Sequence, residues 1–216
     1  MRDWIEDLYQ DPEMARMGHG QCEANADLGL GWIYYGLARA LRPTTVVVIG
    51  SFRGFVPLIL SKALQDSGSG EVIFIDPSFV DDFWAEPEQV ANYFSSRNAG
   101  NIRHYRTTIQ DFVNLTIYKE INDIGLLFVD GFHSEAQARF DHEAFLPKMA
   151  EDGVALFHDS VRERTSRMYG DDKPYTHTVC RYMDSLRSDE RFEVLAFPLA
   201  DGLTIVKKRA GVEVKC

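Results

Sequence analysis

Two stretches of this chain read as chemistry, Asp130-Gly131-Phe132-His133 and His158-Asp159-Ser160. Each sets a carboxylate close to an imidazole at the end of an apolar run. An imidazole with a pKa near 6.5 exchanges protons at neutral pH and is worth about 10²–10⁴-fold as a general base. His133, with Asp130 beside it, is therefore the candidate catalytic group for deprotonating a hydroxyl. Asp130 and Asp159 are also a donor pair for Mg²⁺, which prefers oxygen ligands and keeps several waters. His158 as a further ligand would favour a softer metal. Plainer readings stand beside these: His133 as a helix cap, Asp130 as a carboxylate that orients its loop, His158 as a structural hydrogen-bonder.

A third stretch binds rather than reacts. Gly50-Ser51-Phe52-Arg53-Gly54 separates an apolar run from a helical one. The glycines let a backbone approach a ligand, and the free N–H groups at a helix start face it. The pattern is G-x-x-x-G, with Phe52 where dinucleotide binders keep the glycine that admits a pyrophosphate. A nucleoside without phosphates fits such a loop better than NAD or FAD. Asp76 lies 22 residues beyond Gly54, at the tip of the next apolar run. That position suits an acceptor for ribose hydroxyls.

The elements that must position these groups follow from periodicity. Residues 45–49 are β-branched and apolar, a strand buried on both faces. Residues 56–64 read as a helix, with Pro57 tolerated only in its first turn. Strands are expected at 71–75, 101–105, 122–130 and 154–157, and helices at 86–97, 135–149 and 175–186. Ser134 is the expected N-cap of the second of these. Asp141, His142 and Glu143 read as its solvated face. Residues 192–198 and 203–208 read as a hairpin turned by Asp201-Gly202. The repeat of strand and helix predicts an α/β fold: a Rossmann-like, doubly wound, seven-stranded sheet, mostly parallel, with an antiparallel C-terminal hairpin. Residues 1–216 are expected to form a single domain. Within it, 1–42 form an N-terminal helical cap, in which Trp32, Tyr34 and Tyr35 read first as packing residues. In such sheets ligands bind beyond the C-terminal strand ends, where Gly50, Asp76, Asp130 and Asp159 all fall.

The net charge of −10 disfavours nucleic acid and anionic membranes as partners. No apolar run approaches the roughly 18 residues of a membrane span. Cys22, Cys180 and Cys216 make no CxxC pair, which points to a reducing, cytoplasmic setting. A homo-oligomer is an open alternative to a monomer.

Taken together, IGSFRGF, FIDPS, FVDGFHSEAQARFD and GVALFHDS resemble the class I S-adenosylmethionine-dependent methyltransferases. Within that class they are similar to small-molecule O-methyltransferases, both the catechol type and the branch acting on sugars and antibiotics. The resemblance covers 37–208. It implies methyl transfer to a hydroxyl of a small molecule, with S-adenosylmethionine as cofactor. Residues 50–54, Ser51 and Phe52 included, would pass under the methionine part of that cofactor. Asp76 would hold the ribose, Gln110 in TTIQDF would lie beside the adenine, and Phe132 would pack on its face. Asp130 and Asp159 would match the carboxylates that bind Mg²⁺ or another divalent cation in metal-dependent members. His133 would occupy the place of their catalytic lysine. Two positions depart from the pattern. Val48 stands where an acidic residue often faces the cofactor amine, and Ser160 stands where the catechol type has an amide ligand. A nicotinamide-dependent oxidoreductase and a non-catalytic nucleoside-binding protein on the same fold are the alternatives. The acceptor is expected to be chosen by the N-terminal segment and by 161–173, a polar stretch that reads as a lid.

Overall fold

β1 (Thr45–Ile49) is buried on both faces because its side chains serve two cores. Val46 and Val48 pack into one, and Val47 and Ile49 into the other. The computed structural model describes residues 1–167 and 170–210. Met168 and Tyr169 of the expected lid, and Cys216, lie outside the described residues.

The chain enters through α1 (Arg2–Leu8), two short 3₁₀ turns and α2 (Gly31–Leu41). Ile5, Leu8, Met14, Tyr34 and Ala38 from this segment share the core of Val46 and Val48, so 1–42 cover one face of the sheet. After β1 come α3 (Phe55–Ser67), β2 (Glu71–Ile75), α4 (Pro87–Ser96) and β3 (Ile102–Tyr105). Two short helices, α5 (Ile109–Phe112) and α6 (Thr116–Glu120), lead to β4 (Ile124–Val129) and α7 (Glu135–Phe145). Next come β5 (Met149–His158), β6 (Arg164–Ser166), β7 (Tyr175–His177) and α8 (Val179–Arg187). β8 (Phe192–Phe197) and β9 (Leu203–Lys208) close the fold.

The seven-stranded sheet runs β3-β2-β1-β4-β5-β9-β8. Pairings among β1 to β5 are parallel, while β9 runs antiparallel to both β5 and β8. This is the expected doubly wound architecture with its C-terminal hairpin. The chain moves outward from β1 to β3 and then returns to β4. The C-terminal ends of β1 and β4 therefore form the switch point at which α/β sheets bind ligands. Among the described residues, no helix is long and apolar enough to cross a membrane.

Three expectations change. Residues 175–177 are not the start of a helix but a strand, paired with Arg164–Ser166 in a second, two-stranded sheet. The polar stretch read as a lid is thus partly a hairpin, and it is tied down by side chains described below. The helix from 135 stops at Phe145, because Pro147 sits in a following 3₁₀ turn and β5 already begins at Met149. Asp141 and His142 are not solvated: each is 1% exposed. Ala138, Asp141, His142 and Phe145 form the inward stripe of α7 at helical spacing, and His142 Nδ1 meets Tyr182 Oη at 2.7 Å.

Candidate functional site

Gly50 leaves β1 with φ +71°, and a Cβ there would lie 2.5 Å from the Asp130 carbonyl oxygen. Only glycine lets the β1 and β4 ends approach this closely, and that approach opens a cavity of about 680 Å³ beyond the sheet. Ser51 builds the turn twice. Its N–H donates to Asp76 Oδ2 at 3.1 Å, and its Oγ accepts from Val56 N at 3.2 Å inside α3. Asp76 Oδ1 also accepts the Ser78 N–H at 2.7 Å. The ribose candidate is therefore a loop brace as well. Burial raises Asp76 above the ordinary carboxylate value, against the two backbone hydrogen bonds that lower it. Phe52 has φ +40°, and its carbonyl accepts from Trp84 Nε1 at 2.7 Å. Arg53 lies over the Phe52 and Phe83 rings at 4.1 and 4.3 Å and pairs with Asp81 at 2.7 Å. Val48 is fully buried in the sheet and offers nothing to the cavity.

Gln110 and Phe132 line the same cavity. Gln110 Nε2 donates to Gln137 Oε1 at 2.8 Å, and Gln137 Nε2 donates to Asp141 Oδ1 at 2.7 Å. Phe132 is half exposed and packs at 5.0 Å on the ring of Tyr175 from β7.

The chemical end of the cavity holds two carboxylate–histidine groups. Asp130 Oδ1 accepts from His158 Nδ1 at 3.0 Å, and its Oδ2 is 3.7 Å from His19 Nε2. Asp159 Oδ2 is 2.9 Å from His177 Nδ1 and 3.4 Å from His133 Nδ1. The rings of His133 and His177 stack at 4.4 Å. Arg164 Nε donates to Asp159 Oδ1 at 3.2 Å, while its terminal nitrogen donates to Oδ2. Asp159 has φ +53°, a left-handed backbone that aspartate adopts more readily than most residues and that outside contacts help to restrain. Its four charged or polar contacts supply that restraint.

Burial would lift Asp159, but His177, His158, His133 and Arg164 hold it well below the ordinary carboxylate value. Burial would likewise lift Asp130, and His158 and His19 pull it down. For His158 desolvation is outweighed by Asp130 and Asp159, which raise it to about 9. His133 and His19 go the other way, desolvated to about 4 and about 3 despite the same carboxylates. One imidazole of this cluster is thus held charged and two are held neutral.

The magnesium pair does not fit these surroundings. Both oxygens of Asp159 are taken by Arg164, and His177 stands on Oδ2. Ser160 turns away, donating to the Phe157 carbonyl at 2.7 Å and lying 2.8 Å from Thr204 Oγ1. His19, Arg164, His177, Gln137 and Asp141 were not foreseen as site residues. The glycines flanking His19 were a usable signal for a histidine held in a tight loop.

Asp141 gives a pH test of this packing. Burial pushes it up to about 7 from a carboxylate's ordinary 3.8, against the lowering bond from Gln137. The folded chain then keeps a proton that the unfolded chain releases near pH 4. Stability from this group is intact in acid and is lost as pH rises towards about 7. Asp141→Asn keeps an acceptor for Gln137. It is expected to match the parent near pH 4 and to exceed it at pH 8 by roughly 1–3 kcal/mol, about 2–10 °C in Tm. Identical melting curves at both pH values would refute the buried, protonated carboxyl.

Comparison with known proteins gives the following. A family model described as a methyltransferase domain matches residues 47–160. Over 158 residues the chain is 28% identical to an uncharacterized protein, y4gI, of Sinorhizobium fredii. That match takes in 72% of this chain but only 16% of that much longer protein. An O-methyltransferase from Bacillus cereus, solved in complex with SAH, superposes with a TM-score of 0.67 at 14% identity, over 96% of this chain and 91% of that one. TomG from Streptomyces achromogenes, an O-methyltransferase involved in tomaymycin synthesis and solved with SAM, superposes at 0.63 and 14%, over 96% and 88%. At this identity the two structures share the fold with this chain.

Proposed function

This chain belongs to the methyltransferase domain family, and from that premise we propose that it moves a methyl group from S-adenosylmethionine to a hydroxyl oxygen of a small molecule. The supporting observation is the convergence of the residue 50–54 loop, Asp76 and a buried His133–Asp159 pair on one cavity. The cofactor lies over that loop, with its ribose on Asp76. Each Asp76 oxygen accepts one backbone N–H and keeps a second lone pair for a ribose hydroxyl. The base points towards Gln110 and Phe132. The nicotinamide reading is set aside, because Phe52 stands where dinucleotide binders keep the glycine that admits a pyrophosphate, and the third glycine of their pattern is missing.

Methyl transfer from a sulfonium is an in-line displacement, and holding the partners aligned supplies roughly 7–11 kcal/mol of the barrier. The acceptor must also lose a proton. His133, kept neutral by burial, receives it, and Asp159 behind the ring stabilises the imidazolium that forms. Asp130, balanced by His158, keeps the net charge beside the acceptor small. Mg²⁺ on the Asp130–Asp159 pair has no part in this reading, since Asp159 is committed to Arg164 and His177. The acceptor is a hydroxylated small molecule rather than nucleic acid or a membrane lipid, in keeping with the charge of −10. The setting is cytoplasmic, and residues 1–42 cap a single catalytic domain.

Calorimetric titration with S-adenosylhomocysteine, NAD and NADP, followed by turnover on a panel of hydroxylated compounds, tests the proposal. S-adenosylhomocysteine should bind and the nicotinamide nucleotides should not. Binding of NAD with no binding of S-adenosylhomocysteine would overturn it.

A further inference from the structure

His19 belongs to the N-terminal segment, yet its ring is buried at the ends of β4 and β5, 4.2 Å from the ring of His158. From this placement we infer that His19, Asp130 and His158 form a binding site for one divalent transition-metal ion of the zinc, cobalt and nickel class. One ligand atom from each of the three lies within 4.8 Å of the others, a span that modest side-chain movement closes around one ion. His19 and His158 are 2% and 3% exposed, and all three residues line the cavity.

The surroundings prepare the site. The His19 ring stacks on Phe55 at 5.1 Å, and its Nδ1 meets Tyr34 Oη at 3.1 Å. A partner on one ring nitrogen directs the other, here the Nε2 that faces Asp130, as partners behind metal-bound histidines do. Gly18 and Gly20, both at positive φ, turn the loop so that His19 points inward. His158 Nε2 is buried and has no partner among the described residues, so only the contact at Nδ1 with Asp130 fixes this ring by hydrogen bonding. An ion would take the place of the proton between His158 Nδ1 and Asp130, and that proton leaves to solvent.

Two imidazoles and one carboxylate make a nitrogen-rich donor set. It suits zinc, cobalt or nickel and is poor for Mg²⁺, which prefers oxygen and near-ideal octahedral geometry. The site differs from the Asp130–Asp159 pair by drawing on the N-terminal cap and by leaving Asp159 to Arg164. When bound, the ion supplies a Lewis acid beside the acceptor hydroxyl. That role rests on the methyl-transfer reading, whereas the binding site rests on geometry alone.

The test uses the full, untagged chain, stripped with chelator and titrated with Co²⁺. One equivalent should bind and give visible absorption bands, Zn²⁺ should abolish them, and a hundredfold excess of Mg²⁺ should not. His19→Gln should weaken Co²⁺ binding at least tenfold. Tyr34→Phe, a milder change should His19→Gln fold poorly, should weaken it about 10–100-fold. No saturable Co²⁺ binding, His19→Gln and Tyr34→Phe binding like the parent, or competition by Mg²⁺ at equal concentration would each overturn the inference. S-adenosylhomocysteine titrated into the same preparation keeps the two readings apart. Its binding without a cobalt site removes only this inference, and a cobalt site without its binding removes only the methyl-transfer reading.

Discussion

His133→Ala is expected to slow methyl transfer by about 10²–10⁴-fold while S-adenosylhomocysteine affinity stays within a few-fold of the parent. The histidine touches the acceptor end of the cavity, where Asp159 and the stacked His177 fix its ring. Removing it deletes the proton acceptor and leaves the glycine loop and Asp76 untouched. The pH profile carries a second signature. A free histidine loses its basic form below pH 6.5, but burial has moved this one to about 4. Its contribution to the rate should therefore persist down to about pH 4–5. Single-turnover rates of the parent, His133→Ala and the bulk-preserving His133→Gln check the assignment on one acceptor. Unchanged rates in both variants would remove His133 from the chemistry, and a tenfold loss of cofactor affinity would make it a structural residue.

Asp76→Ala should weaken S-adenosylhomocysteine binding by about 1.5–3 kcal/mol, roughly tenfold to a hundredfold. Two ribose hydroxyls lose their acceptor. The Ser51 and Ser78 N–H groups lose theirs too, so the residue 50–54 loop loosens. Asp76→Asn separates the two effects. Its single carbonyl oxygen can serve one of the two N–H groups, so it should hold the loop better than alanine does, while the ribose still loses a charged acceptor. Calorimetry on both variants, with melting temperatures alongside, distinguishes the loss of ribose contact from collapse of the turn. Affinity equal to the parent in Asp76→Ala would end the ribose assignment.

The parts of this molecule determined by sequence alone are those set by local periodicity. Strand, glycine turn and helix are short-range patterns. Once they alternate, right-handed crossovers leave little choice but a parallel sheet with Gly50, Asp76, Asp130 and Asp159 at one edge. The TVVVI run announced burial on both faces, and the placement of Asp130 and His133 on one turn needed nothing beyond their spacing. Contacts made across long separations decided the rest. Asp141 and His142 looked solvated because charge and polarity suggest water. Their places on the inner stripe of α7 emerged only when that helix met α8 and β5. Arg164 falls in the stretch that reads as a polar loop and His177, thirteen residues on, in one that reads as a helix, and only the pairing of β6 with β7 brings them onto Asp159. His19 is more than a hundred residues from Asp130, and no pattern in either segment links them. Only when 1–42 fold over the sheet does its ring reach the ends of β4 and β5. Sequence thus located the cavity, while tertiary packing decided which side chains neutralise its carboxylates and which donors are left for a cation.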